Sequence, residues 1–188
     1  MRLGFDLSPL GPLPTGVGRY AACLLEALLR HPAIREIHGF GPDKSHLKNL
    51  PTSAKLHVHA DTGRWRIPWL LGRLPAQAAQ FRLDVFHFPN YLAPLRFPCP
   101  YTVTVHDLTV FDLPGVHPLK RRAAHRLLLR PSLDGAAKII AVSEDTRQQV
   151  LKRWAGLDRK IRVIHEAALA YMVRVTDQDE LDEVRNRY

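Results

Sequence analysis

The chain has few of the residues and patterns that define disulfide-rich, secreted or membrane-spanning proteins. Two of its 188 residues are cysteines. Because Cys23 falls in a helical pattern and Cys99 between prolines, they predict no disulfide framework. No run of about 18 apolar residues occurs, so no membrane-spanning helix is predicted. The N-terminus leads directly into a strand pattern with no signal-peptide region before it, and we therefore expect a cytoplasmic chain.

The residue patterns of several catalytic mechanisms are also missing. The sequence contains no Walker phosphate loop. Ser143 suits a helix cap and the cysteines lie apart from the histidines, so no Ser-His-Asp or Cys-His nucleophile is predicted. His57 and His59 alternate along a predicted strand, where they are candidate metal ligands. No other ligand cluster lies near them in sequence, so ordinary surface histidines are favoured and we predict no metal site.

Positive charge is in excess, with a formal net charge of +9. The largest basic cluster, Lys120-Arg121-Arg122, continues at helical spacing with Arg126 and Arg130, and the alanines and leucines between them predict an amphipathic helix over 119–130. A solvated face of a core helix is the favoured interpretation. Attachment to an anionic membrane surface comes second. Nucleic acid comes third, because no base-stacking or groove-reading motif accompanies the charge.

A second basic segment also contains tryptophans. Residues 65–81 give a weak helical pattern interrupted by Pro68 and Pro75, with arginines around Trp65 and Trp69. Basic and aromatic residues together suggest an interfacial or acceptor-facing segment. Packing of the tryptophans into an edge of the core explains them equally well.

Short apolar strands alternate with helices along the whole chain. Such alternation needs crossover connections, which predict an α/β fold: a single Rossmann-like, doubly wound parallel sheet with helices on both faces. The predicted strands cover 2–6, 35–40, 55–59, 84–87, 102–105, 138–142 and 162–165. Besides the two segments above, helices are predicted after Thr15, after Ser143 and over 177–187, and residues 111–118 are predicted to be irregular.

Polar residues follow four elements of this pattern. They are Gly16-Val17-Gly18-Arg19, His87 with Asn90, His106-Asp107, and Ser143-Glu144-Asp145. The carboxyl ends of parallel strands lie at one edge of a sheet, where ligands bind in open α/β folds. The sequence therefore predicts that these four groups converge on one site.

The glycine segment has two interpretations. Residues 16–21 match a loose dinucleotide-binding pattern, but about nine residues with three prolines separate Gly16 from the first strand, where that pattern requires the glycine to follow at once. Glycines at a helix start let backbone N–H groups approach a phosphate or sugar closely. Alternatively, Gly16 and Gly18 simply allow tight packing of the helix start.

Taken together, these segments resemble the N-terminal domain of glycosyltransferase family 4, the large retaining family with the GT-B fold. Their order and approximate spacing match the family across nearly the whole chain. The segments that carry the resemblance are Arg2-Leu3-Gly4-Phe5-Asp6, Thr15-Gly16-Val17-Gly18-Arg19-Tyr20, Asp84 to Tyr91, Thr104-Val105-His106-Asp107-Leu108, Ile140-Ala141-Val142-Ser143-Glu144, and Arg162 to Ala168.

The resemblance implies transfer of a sugar from a nucleotide-sugar to a glycan or lipid-linked acceptor, with retention at the anomeric carbon and no required metal or other cofactor. It assigns catalysis to His106, beside the transferred sugar, and to Asp107. Asp107 either orients the imidazole or stabilises positive charge on the sugar. The residues expected to bind substrate are Gly16, Val17, Gly18, Arg19, His87, Asn90, Ser143 and Glu144.

Members of the family carry a second Rossmann-like domain that holds the donor nucleotide. We therefore expect residues 1–170 to form the acceptor-side domain and residues 171–188 a helical tail toward a second domain, supplied in cis or in trans. Because catalysis in a GT-B fold takes place between two domains, this chain alone should have little or no transferase activity. The alternative is a non-catalytic binding or interaction module of the same fold.

Overall fold

A computed structural model describes residues 1–11, 15–44, 50–62, 66–112, 119–167 and 174–188. The strands are β1 (Arg2–Asp6), β2 (Glu36–Gly41), β3 (Leu56–Ala60), β4 (Val85–Phe88), β5 (Tyr101–Val105), β6 (Lys138–Ala141) and β7 (Ile161–Val163). The helices are α1 (Gly16–Arg30), α2 (Arg66–Pro68), α3 (Leu74–Ala78), α4 (Thr109–Asp112), α5 (Leu119–Gly135), α6 (Glu144–Arg153) and α7 (Gln178–Arg187), with a π-helical segment, Trp69–Arg73, between α2 and α3.

The described strands form one seven-stranded sheet in the order β3-β2-β1-β4-β5-β6-β7. All six neighbouring pairs are parallel. The order reverses beside β1, which lies between β2 and β4, so the sheet is doubly wound as predicted. The carboxyl ends of β1, β4, β5, β6 and β7 consequently lie side by side along one edge.

Apolar side chains cover both faces of the sheet. Leu3, Phe5 and Ile37 form one buried cluster with residues of α1. Phe86 and Phe88, which project from the opposite face because side chains alternate along a strand, belong to a second cluster that includes residues of α5 and α6. Helices therefore pack on both faces, which confirms the predicted layering.

Gly4 lets the central strand pass close to its neighbour. A β-carbon at this position would lie 2.8 Å from Leu83 Cδ1 and would collide with the Phe86 ring. Since Gly4 is registered directly opposite Phe86, a bulkier residue here would displace an aromatic ring of the core.

The predicted helix boundaries are correct where a polar residue caps the helix and wrong where a proline was expected to end it. Thr15 caps α1 and Ser143 caps α6, as predicted. The predicted end of the basic helix at Arg130 is wrong, because α5 continues through Pro131 to Gly135. The Ser132 hydroxyl lies 2.7 Å from the carbonyl of Leu128 and bonds the backbone of Ala93, so tertiary contacts hold the helix past the proline.

One further segment differs from its prediction, and for another the structure decides between two interpretations. Residues 109–112 form the short helix α4, although irregular structure was predicted from residue 111 onward; residues 113–118 lie outside the described part. Trp69 is 1% exposed and belongs to the core, so the packing interpretation is correct for this tryptophan. Residues 64 and 65, and the side chains of residues 120 and 121, lie outside the described part as well. Within the described ranges, no helix is long and apolar enough to cross a bilayer.

Candidate active site at the carboxyl edge of the sheet

His106 is the point where the ends of four strands meet. It follows β5 directly, and its Nε2 lies 2.9 Å from the backbone carbonyl oxygen of Pro89, just after β4. Its Nδ1 lies 2.9 Å from Oε1 of Glu166, in the segment after β7. The Thr146 hydroxyl, in the first turn of α6 after β6, donates to the backbone carbonyl of His106 at 3.0 Å. The segments after β4 and β7 thus hold the imidazole through its two nitrogens, and α6 holds the backbone of His106.

The glycine segment also reaches His106, through the residue that follows it. The Tyr20 ring meets the His106 ring edge-on, with centroids 4.8 Å apart and an interplanar angle of 83°. The Tyr20 hydroxyl bonds the Thr104 hydroxyl at 3.1 Å, and burial raises the pKa of Tyr20. The start of α1 and the end of β5 therefore lie in contact at this edge of the sheet, as the sequence predicted.

The two glycines occupy different surroundings. A β-carbon at Gly18 would lie 2.7 Å from the backbone oxygen of Pro9, whereas one at Gly16 would meet nothing within 4 Å. Gly18 is therefore required for packing, which is the second of the two interpretations. Gly16 is exposed at the first turn of the helix, the end of a helix at which backbone N–H groups can bind an anion or a hydroxyl. Val17 is half-buried and Arg19 is exposed.

His87 lies beneath the edge rather than on it. It is 5% exposed, its Nδ1 lies 2.7 Å from the Thr102 hydroxyl, and its Nε2 lies 3.4 Å from the Thr104 hydroxyl. Burial, with a smaller contribution from His106, lowers the pKa of His87 to about 4. The structure places His87 as a neutral group behind Thr104 and Tyr20, and its predicted contact with substrate stays a prediction.

Asp107 does not orient His106 in this structure. Its Oδ1 accepts hydrogen bonds from the backbone N–H of Thr109 at 2.9 Å and from the Thr109 hydroxyl at 2.6 Å, so it caps α4. The orienting acid is Glu166, which the sequence had offered only as part of a resembling segment. The remaining role assigned to Asp107, stabilising positive charge on a sugar, stays a prediction.

The other predicted substrate-binding residues make local bonds. Asn90 Oδ1 accepts from the backbone N–H of Tyr91 at 3.0 Å. The Ser143 hydroxyl accepts from the Thr146 N–H at 3.0 Å, and Glu144 pairs with Arg147 at 2.8 Å. Ser143 is thus the helix cap that the sequence predicted, and through Thr146 it also supports His106.

A buried charge pair at the end of β1 was missed at the sequence level. Asp6 is fully buried, and its Oδ1 accepts from the Ser8 N–H at 2.8 Å. Arg66 donates through Nε to the Ser8 hydroxyl at 2.7 Å and brings Nη2 to 3.6 Å from Asp6 Oδ2. Only the fold brings α2 to the end of β1, so no local pattern could have indicated the pair.

The histidines considered as metal ligands lie at the opposite end of the sheet. His38 Nδ1 and His59 Nε2 are 3.0 Å apart, His57 lies beside them on β3, and burial lowers the pKa of both His38 and His59. In the described part of the chain, no three His, Cys, Asp or Glu side chains are placed to hold a metal ion. His38 and His59 thus bond to each other as neutral imidazoles can.

The edge around His106 offers hydrogen-bonding groups of several kinds. An imidazole, a phenol, threonine hydroxyls, a carboxylate and the start of a helix lie on adjacent elements. A polyhydroxyl ligand carrying phosphate matches such a set, because hydroxyls both donate and accept and phosphate accepts from a helix N-terminus.

Comparison with known proteins agrees with this fold. The sequence profile of Glycosyltransferase Family 4 matches residues 14–167, a range that includes both His106 and Glu166. The chain therefore belongs to Glycosyltransferase Family 4. Among curated proteins, it is similar to O-antigen chain mannosyltransferase B of Escherichia coli, with 26% identity over 167 residues that cover 81% of this chain and 43% of that protein.

Solved structures share the fold at low sequence identity. HepE of Anabaena, crystallised with UDP and glucose, has a TM-score of 0.56 and 13% identity, over all of this chain and 50% of that one. A glycosyltransferase from Rickettsia africae ESF-5 has a TM-score of 0.52 and 13% identity, over all of this chain and 49% of that one. The chain spans half or less of the length of these proteins, and it fits the N-terminal half of the GT-B fold.

Proposed function

We propose that this chain is the acceptor-binding half of a retaining glycosyltransferase, which transfers a sugar from a nucleotide-sugar to a glycan or lipid-linked acceptor. The observation that carries the proposal is the position of His106. In a member of this family, a fixed imidazole lies at the carboxyl edge of the parallel sheet, beside the open start of α1.

The chemistry of the edge supports this substrate class. A hydrogen bond from His106 to a sugar oxygen holds the reacting carbon in place, which contributes to rate by positioning. The N–H groups at the start of α1, beside Gly16, suit the phosphates of the donor or an acceptor hydroxyl. We propose that no metal is required, because hydrogen bonds from fixed donors replace it in binding the diphosphate.

The relatives support a hexose donor and a role in polysaccharide biosynthesis. One is named as a mannosyltransferase of the O-antigen chain, and another was crystallised with UDP and glucose. By this proposal the present chain works in the cytoplasm on a glycan or lipid-linked acceptor.

We propose that the second wall of the pocket comes from a donor-binding domain, joined in cis or binding in trans. The relatives are about twice the length of this chain, and a diphosphate leaving group needs cationic or N–H partners on its other side. The 188-residue chain alone is then expected to have little or no transferase activity.

The test is a transfer assay with a panel of radiolabelled nucleotide-sugars. The chain is assayed alone and after fusion to the C-terminal half of a family member, with product followed by incorporation into glycan and lipid-linked acceptors. Transfer by the fusion and none by the chain alone is the expected result. Acceptor binding without transfer in any fusion would contradict the enzyme proposal and indicate a non-catalytic binding module.

A peripheral membrane contact through α5 would bring a lipid-linked acceptor to the site. Leu119 and Leu127 on this helix are 77% and 73% exposed, and Arg126 is exposed beside them. Exposed leucines flanked by arginines are typical of helices that lie on anionic bilayers. Replacing Leu127 and Arg126 by Ser and Gln is expected to reduce cosedimentation with phosphatidylglycerol vesicles. Equal sedimentation of both proteins would contradict this contact.

A further inference from the structure

Both ring nitrogens of His106 face oxygen atoms at hydrogen-bonding distance. Nε2 is 2.9 Å from the backbone carbonyl of Pro89, and Nδ1 is 2.9 Å from Oε1 of Glu166. A carbonyl oxygen only accepts hydrogen bonds, so Nε2 must carry a proton. A neutral imidazole has only that one proton, which would leave the bare Nδ1 facing a second acceptor.

The carboxylate of Glu166 is half exposed, and an ionised carboxylate has no proton to donate. A bond between Nδ1 and Oε1 therefore needs a second proton on the ring, taken up from solvent. We propose that Glu166 is a positioning residue that keeps this proton on Nδ1, so that His106 is an imidazolium paired with a carboxylate.

The other groups around His106 do not accept a hydrogen bond from Nδ1 in the described structure. Tyr20 contacts the ring through its aromatic edge, Thr146 donates to the backbone carbonyl of His106, and Asp107 bonds Thr109. His87 lies beneath with both nitrogens on threonine hydroxyls. In the described structure, Glu166 is the acid that is bonded to the ring.

The arrangement also indicates which side of the ring meets a ligand. The Nε2 bond to Pro89 is partly buried and made by the main chain, whereas the Nδ1 bond is exposed and made by a side chain that can rotate away. An oxygen of the ligand would replace Oε1 as the acceptor of the Nδ1–H bond. By the proposed function, on which this step rests, the ligand atom is a sugar hydroxyl or a phosphate oxygen. The protonation of His106 does not depend on the proposed function.

The proton can be observed directly by NMR of the 188-residue chain with histidine rings labelled with nitrogen-15, at neutral pH and without ligand. Unmodified protein is expected to give an N–H signal on both nitrogens of His106. In Glu166→Gln, which keeps the size and an acceptor oxygen but removes the charge, the ratio of doubly to singly protonated ring should fall about tenfold. The remaining proton should be on Nε2, and Glu166→Asp should restore part of the loss.

Two controls make the result specific. Glu26→Gln removes an acid that pairs with Arg30 at the surface of α1 and should leave His106 unchanged, and unchanged His87 signals report an intact fold. An unprotonated Nδ1 in the unmodified protein would overturn the proposal. An equal loss of doubly protonated His106 in Glu166→Gln and Glu26→Gln would overturn it as well. Because no sugar is needed, a failed transfer assay and a failed protonation test are separate outcomes.

Discussion

At the scale of single residues, two histidines on adjacent strands have opposite surroundings. His106 lies at the edge of the sheet beside a carboxylate. His87 is enclosed by the sheet and two threonines, and burial lowers its pKa to about 4. Burial therefore keeps His87 neutral at neutral pH, whereas an acid is bonded to the ring of His106. Thr104, which bonds both His87 and Tyr20, separates them.

The pKa of His87 predicts an acid-sensitive fold. The unfolded chain takes up a proton as the pH falls below about 6.5, whereas folded His87 stays neutral until about pH 4. Stability is therefore fully present above about 6.5 and is lost as the pH falls through this window, by about 3 kcal/mol. Urea unfolding at several pH values measures how the free energy of unfolding changes with pH. His87→Asn should show a flatter dependence than unmodified protein, and equal slopes would contradict the assignment.

Asp6 and Arg66 should behave as one unit, because a buried carboxylate depends on its cation. Removing the cation alone, in Arg66→Met, is expected to destabilise the fold by about 2–4 kcal/mol. Asp6→Asn combined with Arg66→Met should cost less than the sum of the single changes, with a coupling of about 1–3 kcal/mol. Urea unfolding of the four proteins measures the cycle. Additive effects would contradict the pairing, and exposed Arg126→Met serves as the control.

At the scale of elements, the start of α1 combines a packing position with an open one. Ala at Gly18 would press against the Pro9 carbonyl and is expected to destabilise the fold by about 1–3 kcal/mol. Ala at Gly16 meets open space, and it should be neutral or stabilise the helix by up to about 1 kcal/mol. Thermal unfolding compares the two variants. A similar loss of stability in the Gly16→Ala and Gly18→Ala variants would contradict the distinct roles. Weaker nucleotide-sugar binding by the fusion protein carrying Gly16→Ala would place a ligand beside Gly16.

Most elements could be predicted because local patterns determine them. The β-branched run before His106 and the leucine stripe of α1 follow the periods of strand and helix. The pattern failed where tertiary contacts decided the outcome. Ser132 bonds the backbone of Ala93, which holds α5 past Pro131. A local bond between Asp107 and the first residue of α4 supports a short helix in a stretch that carries no helical period. The π-helical turn at Trp69–Arg73 between two prolines is likewise absent from the pattern.

At the scale of the whole molecule, the sheet decides which residues meet. That polar groups converge at one edge follows from parallel strands alone, so His106 and the glycine segment could be predicted as neighbours. That Glu166 contacts His106 depends on the order β5-β6-β7, which no sequence period encodes. The same holds for Arg66 at the end of β1. Asp107 is adjacent to His106 in the sequence, whereas Glu166 comes next to it only in the folded sheet.

The site edge and the histidine cluster lie on different strands of the sheet. The site edge brings together side chains from α1, β5, α6 and the segment after β7. The histidine cluster of β2 and β3 lies at the other end of the seven-stranded sheet. His57, which is exposed in that cluster, is therefore a matched control for His106 in any assay of the site.

The central claim is that His106 marks one wall of a glycosyl-transfer site. The most direct measurement is kcat/KM for sugar transfer by the chain fused to a donor-binding domain, with His106→Ala compared with His57→Ala. The account predicts a loss of at least about a hundredfold for His106→Ala, because a positioning bond to the reacting sugar is removed, and no loss for His57→Ala. Equal activity of the two variants would contradict it.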